Sequence, residues 1–284
     1  MAREVLESGA MKAPFDAVIV DEVQDLSTQE VRLLAALCGK GPSHLMIIGD
    51  AGQRIYPGGF SLRSLGLETR GRSRRLQINY RTTLEIERAA ARLRDIAADD
   101  LDGDAETPLA TQSLLRGPKP VLRGFAAFEE EDEFVAQTIR ELLVSGVKPR
   151  EIAVFGRTWR HLYQVREAIR RRGIPVAKLR DDAASDEEVI VSTMHGAKGL
   201  EFRYVFIVAC RKSVVPARFA LKGASDATEL EVATKRERNL LYVSMTRARD
   251  KVWITWTGEP SEFVAALEPM AEVNGSGAAV PTRV

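Results

Sequence analysis

Hydrophobic positions along the chain fall into short runs, and several of the most aliphatic runs stop at acids or glycine. Ala17 to Val20, within FDAVIVDEVQD, ends at Asp21 and Glu22. A continuous aliphatic run of this kind reads as a buried parallel strand, and open α/β sheets bind ligands beyond the carboxyl ends of such strands. From Leu26 to Cys38 the spacing turns helical, with Val31, Leu34, Leu37 and Cys38 on one face, Ser27 as N-cap and Glu30 three residues on. Leu45 to Ile48 predicts a second buried strand, ending in Gly49 and Asp50. Two strand units that deliver polar groups to one edge predict a doubly wound sheet.

Arg88 to Asp95 continues a helix, and from Ala97 to Pro120 periodicity fails while Asp, Gly, Pro and Thr accumulate. A loop or domain boundary is expected there. Beyond it, strands are predicted at Val121 to Phe128, Glu151 to Phe155, Ile174 to Leu179, Val189 to Ser192, Tyr204 to Cys210 and Lys251 to Thr257. Helices are predicted at Glu129 to Val144, Trp159 to Arg172 and Glu229 to Met245, with an acidic turn at Arg180 to Glu188. Trp253 and Trp256 read as core and edge packing, and the tail after Asn274, rich in Gly, Ser, Ala and Pro, is expected to be disordered. There is no internal repeat.

Charge changes this picture little. The 284 residues carry 41 Lys and Arg against 40 Asp and Glu, a net charge of +1, so any basic surface must be local. Cys38 and Cys210 lie in or at the end of apolar segments without metal-ligand spacing and read as reduced, buried thiols, and no His-Cys cluster suits a transition metal. The aliphatic runs are too short to span a bilayer and MAREVLESGAMK lacks a hydrophobic signal core, so a soluble cytoplasmic protein without a membrane partner is expected.

Candidate chemistry centres on Asp21 and Glu22. A strand ending in two carboxylates suits a phosphate site, because Mg²⁺ takes one or two carboxylates while keeping waters, and a second acid can orient an attacking water. The plain alternative is a strand leaving through two solvated acids. Further on, the Gly-rich loop AGQRIYPGGFSLRSLG presents Gln53, Arg54, Tyr56 and Phe60, and a basic run at Arg70, Arg72, Arg74 and Arg75 leads into NYRTT.

Several of these stretches together resemble the motifs of UvrD/Rep-type superfamily 1 DNA helicases, in the family's order. DEVQD resembles the Walker B motif, IIGDAGQRIY the Gln-containing third motif and NYRTT the fourth; TMHGAKGLEF and ERNLLYVSMTRAR resemble the fifth and sixth. The resemblance spans Asp16 to about Thr257. It implies ATP and Mg²⁺ as cofactors, with Asp21 on the metal, Glu22 polarising water, Gln53 sensing the γ-phosphate, and Arg81 and Arg247 as arginine fingers. It places Gly199 and Glu201 at the nucleotide, Glu201 on its sugar. On single-stranded DNA it implies Tyr56 as a stacking residue, with Thr193, His195 and Lys198 coupling nucleotide to DNA. The family commonly has a tryptophan two residues past that tyrosine, where this chain has Gly58. Phe60 is open to two readings, substitute platform or hydrophobic anchor of the loop. Trp159, at a helix start, is a further candidate for stacking.

Two absences accompany the match. No GxxxxGK[ST] phosphate loop occurs, so the chain is expected to be catalytically incomplete by itself, with a longer polypeptide or a partner chain supplying the Walker A half. The large mobile subdomain usual between the fourth and fifth motifs is reduced to a short turn after Gly173-Ile174-Pro175, which implies a trimmed motor that translocates more readily than it unwinds. The expected fold is α/β, with RecA-like parallel sheets flanked by helices. A truncated first lobe would span residues 1–96, a complete second lobe 97–257, and a terminal helix or disordered tail 258–284. The function implied is ATP-dependent 3′ to 5′ translocation and unwinding in DNA repair or recombination. The alternative is a non-catalytic module that binds single strands or a partner protein; a nuclease is disfavoured because no separate acid-rich metal cluster follows the last motif.

Overall fold

The computed structural model describes residues 12–38, 44–58, 60–67, 69, 71–74, 76–94, 112–178 and 186–275. These fall into two compact units, one formed by the described residues up to 74, the other by Leu76–Arg94 with residues 112–275.

In the first unit β1 (Val18–Val20) pairs in parallel with β2 (Leu45–Ile47), Val18 opposite Leu45 and Val20 opposite Ile47. Between them runs α1 (Thr28–Leu37). Its start is fixed by the predicted capping box: the Glu30 N–H donates to the Ser27 hydroxyl at 3.3 Å and the Ser27 N–H to the Glu30 carboxylate at 2.7 Å. Val20, Val23, Val31, Phe60 and Leu62 form the core.

The second unit opens with β3 (Ile78–Thr83), which leads into α2 (Leu84–Ala91) and pairs in parallel with β4 (Gln112–Leu115). This corrects the predicted boundary at residue 96. Leu76–Arg94 belongs to the second unit, because α2 buries Leu84, Ile86, Ala89 and Ala90 there and the Glu85 carboxylate accepts the Gly117 N–H at 2.9 Å. Gly117 passes so close to β3 that a Cβ on it would lie 2.6 Å from the Thr83 methyl. β4 lies within the stretch predicted as loop; its buried Ser113 hydroxyl donates to the Thr82 carbonyl, a pairing that the four residues QSLL do not announce.

The main sheet comprises β5 (Val121–Phe125), β6 (Ile152–Gly156), β7 (Val176–Lys178), β8 (Val189–Thr193), β9 (Phe202–Val208), β10 (Ala248–Thr257) and β11 (Glu272–Gly275). Its order is β11-β5-β10-β9-β6-β8-β7, and every neighbouring pair is parallel. All seven strands therefore deliver their carboxyl ends to one edge. α3 (Phe128–Val144) and α4 (Trp159–Arg171) bury Val135, Ala136, Ile139, Leu162, Val165 and Ile169 against Ile152, Val154, Val191 and Phe206. The short α5 (Arg218–Leu221) precedes α6 (Ala227–Met245), which packs against β9 and β10, and α7 (Glu262–Ala265) follows the last core strand.

Trp253 stacks on Phe206 at 4.5 Å between ring centroids, and Trp256 is buried against Gly124, where a Cβ would come within 2.9 Å of the indole nitrogen. β11 revises the prediction of only helix or tail beyond Thr257: it takes the open edge of β5, Val273 opposite Leu122. The remaining tail, the middle of the acidic turn, residues 97–111 and Arg70 and Arg75 of the basic run lie outside the described residues. Among the described residues no helix is long and apolar enough to cross a membrane.

Candidate nucleotide and nucleic-acid contacts

In the first unit the chain turns sharply where β1 ends. Asp21 and Glu22 are exposed, the Glu22 N–H donates to Asp21 Oδ1 at 2.8 Å, and Glu22 has left-handed backbone with φ 51°. Such a conformation is uncommon outside glycine and costs on the order of 1 kcal/mol or more. It is held by Gln24, which is only 4% exposed. The Gln24 amide donates to the Glu22 carboxylate, while its Oε1 accepts the Asp50 N–H at 3.1 Å. Asp50, after β2, accepts from the Gly52 N–H at 2.9 Å and from the Gln53 side-chain amide at 3.2 Å. Glu22 and Gln53 are thereby joined through Gln24 and Asp50, two residues the sequence reading left without a role. The signal for Gln24 was its place two residues after Glu22, at a position that proves to be buried.

Tyr56 is 42% exposed. Phe60 is not. It is buried beside Val20, Val23 and Leu62, with the Arg54 guanidinium 5.5 Å from its ring centroid. Of its two readings the anchor stands, and its assignment to DNA is withdrawn, because the loop needs an apolar plug over the β1-β2 core.

Three of the predicted residues converge in the second unit. Arg81, on β3, forms an ion pair with Glu201, just before β9; the side chains are 42% and 55% exposed. The Arg81 backbone N–H donates to Asn79 Oδ1 at 2.7 Å, fixing the strand locally. Arg247, between α6 and β10, is 2% exposed, its guanidinium donating to the carbonyls of Val243 at 3.1 Å and Leu200 at 3.3 Å. Its own carbonyl accepts the Phe202 N–H at 2.9 Å. Leu200, Glu201 and Phe202 thus run along Arg247, and Gly199, with φ 80°, supplies the turn into them. The arginines stand differently: Arg81 is presented at the surface, whereas Arg247 is sheathed in backbone oxygens.

Against this geometry, the family model for the UvrD-like helicase C-terminal domain matches residues 74–183 and 176–259. The chain belongs to the UvrD-like helicase family. The model for the UvrD/REP helicase N-terminal domain matches residues 3–59 of this UvrD-like chain. DNA helicase IV of Escherichia coli is 29% identical over 93% of the chain and 37% of that protein. The mitochondrial ATP-dependent DNA helicase HMI1 of Saccharomyces cerevisiae is 30% identical over 60% of the chain and 25% of that protein. The ATP-dependent DNA helicase PcrA of Staphylococcus aureus is 40% identical over 34% of the chain and 14% of that protein. The chain therefore spans little more than a third, or less, of these relatives. A solved C-terminal domain of a possible DNA helicase from Lactobacillus plantarum superposes with a TM-score of 0.49 at 19% identity, covering 69% of this chain and 99% of that one.

The remaining motif residues of the UvrD-like chain lie on the carboxyl edge of its main sheet. The Thr193 hydroxyl accepts the Gly196 N–H at 3.3 Å and caps the turn Met194–Ala197 that carries His195. Burial, and then the nearby Arg157 charge, push the His195 pKa down while Glu237 opposes them, so the ring is neutral at neutral pH. Lys198 follows, partly buried. Beside this turn Arg157, after β6, makes a buried bidentate pair with Glu237 of α6, at 2.9 and 2.7 Å. Nothing local could have announced a pair 80 residues apart in sequence.

The residues at Asp21 fit a magnesium ion more readily than a caged metal. Among the described residues no group of three or more His, Cys, Asp or Glu could hold a metal, so Asp21 would give one carboxylate, and water and phosphate the rest.

Proposed function

We propose that the chain is part of an ATP-driven 3′ to 5′ motor on single-stranded DNA that acts in repair or recombination. The convergence of Arg81, Glu201 and Arg247, from three separated motifs, carries this reading. The Arg81 guanidinium and the Glu201 carboxylate presented together beside a turn, with Arg247 buried behind them against the Leu200 carbonyl, suit a nucleoside triphosphate, whose phosphates take arginines and whose sugar hydroxyls take a carboxylate. In this proposal Asp21 holds the magnesium ion, Glu22 orients the attacking water, Gln53 responds to the γ-phosphate through Asp50 and Gln24, and Gly199 and Glu201 hold the nucleotide. Bound Mg²⁺ would supply neutralisation of charge on the phosphates. Arg81 acts as a finger from the surface, and Arg247 joins it on leaving the Val243 and Leu200 carbonyls, a role worth on the order of 10³ to 10⁵ in rate in comparable systems. Tyr56, Thr193, His195 and Lys198 contact the strand, and a cytoplasmic setting completes the proposal.

Because the 284 residues contain no GxxxxGK[ST] loop, we propose that turnover requires a Walker A segment from elsewhere. The test is steady-state ATP hydrolysis with Mg²⁺, with and without single-stranded DNA, by this chain and by an assembly that includes such a segment. The chain alone should not exceed its Arg247→Ala variant, whereas the assembly should be stimulated by DNA and lose turnover with Arg81→Ala or Arg247→Ala. DNA-stimulated turnover by the chain alone would refute the incomplete-motor reading. An assembly unaffected by either arginine substitution would refute the site.

A further inference from the structure

The start and outward face of α4 carry an aromatic and basic cluster of which Trp159, half-buried, also packs against the core. The helix buries Leu162, Val165, Ala168 and Ile169, and Tyr163 lies off that stripe, 47% exposed. Its ring centroid is 5.9 Å from that of Trp159, the first residue of the helix. Lys178 Nζ lies over both rings, 5.2 Å from the Trp159 centroid and 5.7 Å from that of Tyr163, and the Arg166 guanidinium lies 5.5 Å from Tyr163. Arg160 adds an exposed cation one residue along. The one acid in α4, Glu167, is engaged by Arg166 and Arg170 at 3.5 and 3.4 Å.

Sheet order gives this cluster its setting. Trp159 follows the carboxyl end of β6 and Lys178 is the last residue of β7, with β8 between them carrying Thr193 and the His195 turn at the same edge. From β6 to β7 is two inter-strand spacings, about 10 Å, or on the order of three stacked nucleotides. Paired aromatic rings with cations alongside are what single-stranded nucleic acid needs, since every base has a face to stack and every link a phosphate.

We propose that Trp159, Tyr163 and Lys178 form a stacking platform for bases of a single strand, with Arg160 and Lys178 drawing the adjoining phosphates. The proposal rests on the reading that the chain binds single-stranded DNA, and it adds a contact outside the motif residues. Trp253 and Trp256 are 5% and 8% exposed, so quenching by a bound base reports on Trp159.

The full chain would be titrated with a labelled oligothymidylate, an abasic oligomer of equal length and inorganic phosphate, following tryptophan emission and label anisotropy in parallel. The oligothymidylate should quench emission, whereas the abasic oligomer and phosphate should not. Trp159→Phe should remove the quench while binding persists by anisotropy, and Tyr163→Ala should weaken binding about tenfold or more. Lys178→Gln, which keeps the strand surface intact if Tyr163→Ala folds poorly, should flatten the slope of log affinity against log salt by about 0.7. Oligothymidylate binding without a quench, with Lys178→Gln unchanged in slope, would overturn the platform and leave the single-strand reading standing. Equal quenching by the abasic oligomer would overturn base stacking. An absence of binding by anisotropy would overturn both.

Discussion

The buried pair of Arg157 and Glu237 makes a demanding prediction. The two side chains are 6% and 4% exposed, and Glu237 accepts two N–H groups from Arg157 and one from the Ala217 backbone at 2.8 Å. In Arg157→Met the carboxylate keeps only the Ala217 N–H and stays buried with its charge uncompensated. Removing one partner of such a pair costs about 3 to 5 kcal/mol, whereas replacing both with apolar groups of similar volume is often nearly neutral. Arg157→Met/Glu237→Leu should therefore cost only about 1 to 2 kcal/mol, mainly for the Ala217 N–H left without its acceptor. Urea unfolding followed by tryptophan emission measures this, since Trp159, Trp253 and Trp256 all lie in the second unit. With a slope of about 2 kcal/mol/M, the single variant should lose roughly 2 M in midpoint and the double variant only about 0.5 to 1 M. A single variant within about 1 kcal/mol of wild type, or a double variant equal to the sum of the singles, would refute the buried-charge account.

Gln24→Ala strips Glu22 of a donor and the Asp50 N–H of its acceptor, so the first unit should lose about 1 to 3 kcal/mol, with faster hydrogen exchange at the Asp50 amide; unchanged exchange would count against the bridge. Burial, reinforced by Glu131 and Glu129 and opposed by Arg171, lifts the Asp132 pKa from 3.8 to about 7. The folded state then holds a proton that the unfolded chain releases, so stability falls as pH rises from about 4 to about 7. Asp132→Asn should flatten that fall, raising the urea midpoint at pH 8 and not at pH 4; an equal change at both would contradict it. Arg81→Ala breaks a half-exposed ion pair worth at most about 1 kcal/mol, so its thermal midpoint should barely move while turnover of a completed motor is lost. A large loss of stability would instead make Arg81 a structural residue.

Much of this molecule was written locally. The aliphatic runs ending in polar residues determined that parallel strands would exist; β6 and β8 are buried on both faces as such runs predict, whereas β1 and β2, predicted to be buried too, leave Ile19 and Met46 exposed. Ser27 and Glu30 determined where α1 starts, since a capping box needs only a four-residue segment. The order of motifs indicated the family. What remained for the tertiary structure was every decision that depends on which distant segments pair. β3 and β4 pair only with each other and join the second unit through the buried face of α2, whereas β11 exists because the edge of β5 was open to receive it. Glu131 reads as one of five acids at a helix start, yet it is 3% exposed and accepts from the hydroxyls of Thr255 and Thr257 and the Ala209 N–H. Phe60 could stack or anchor until burial chose. Arg247 and Arg81 look alike in their motifs, and only packing sheathes one in carbonyls and leaves the other at the surface. The physical reason is common to all of these: periodicity and capping are set within a turn or two of chain, while desolvation is set by whatever the fold brings alongside.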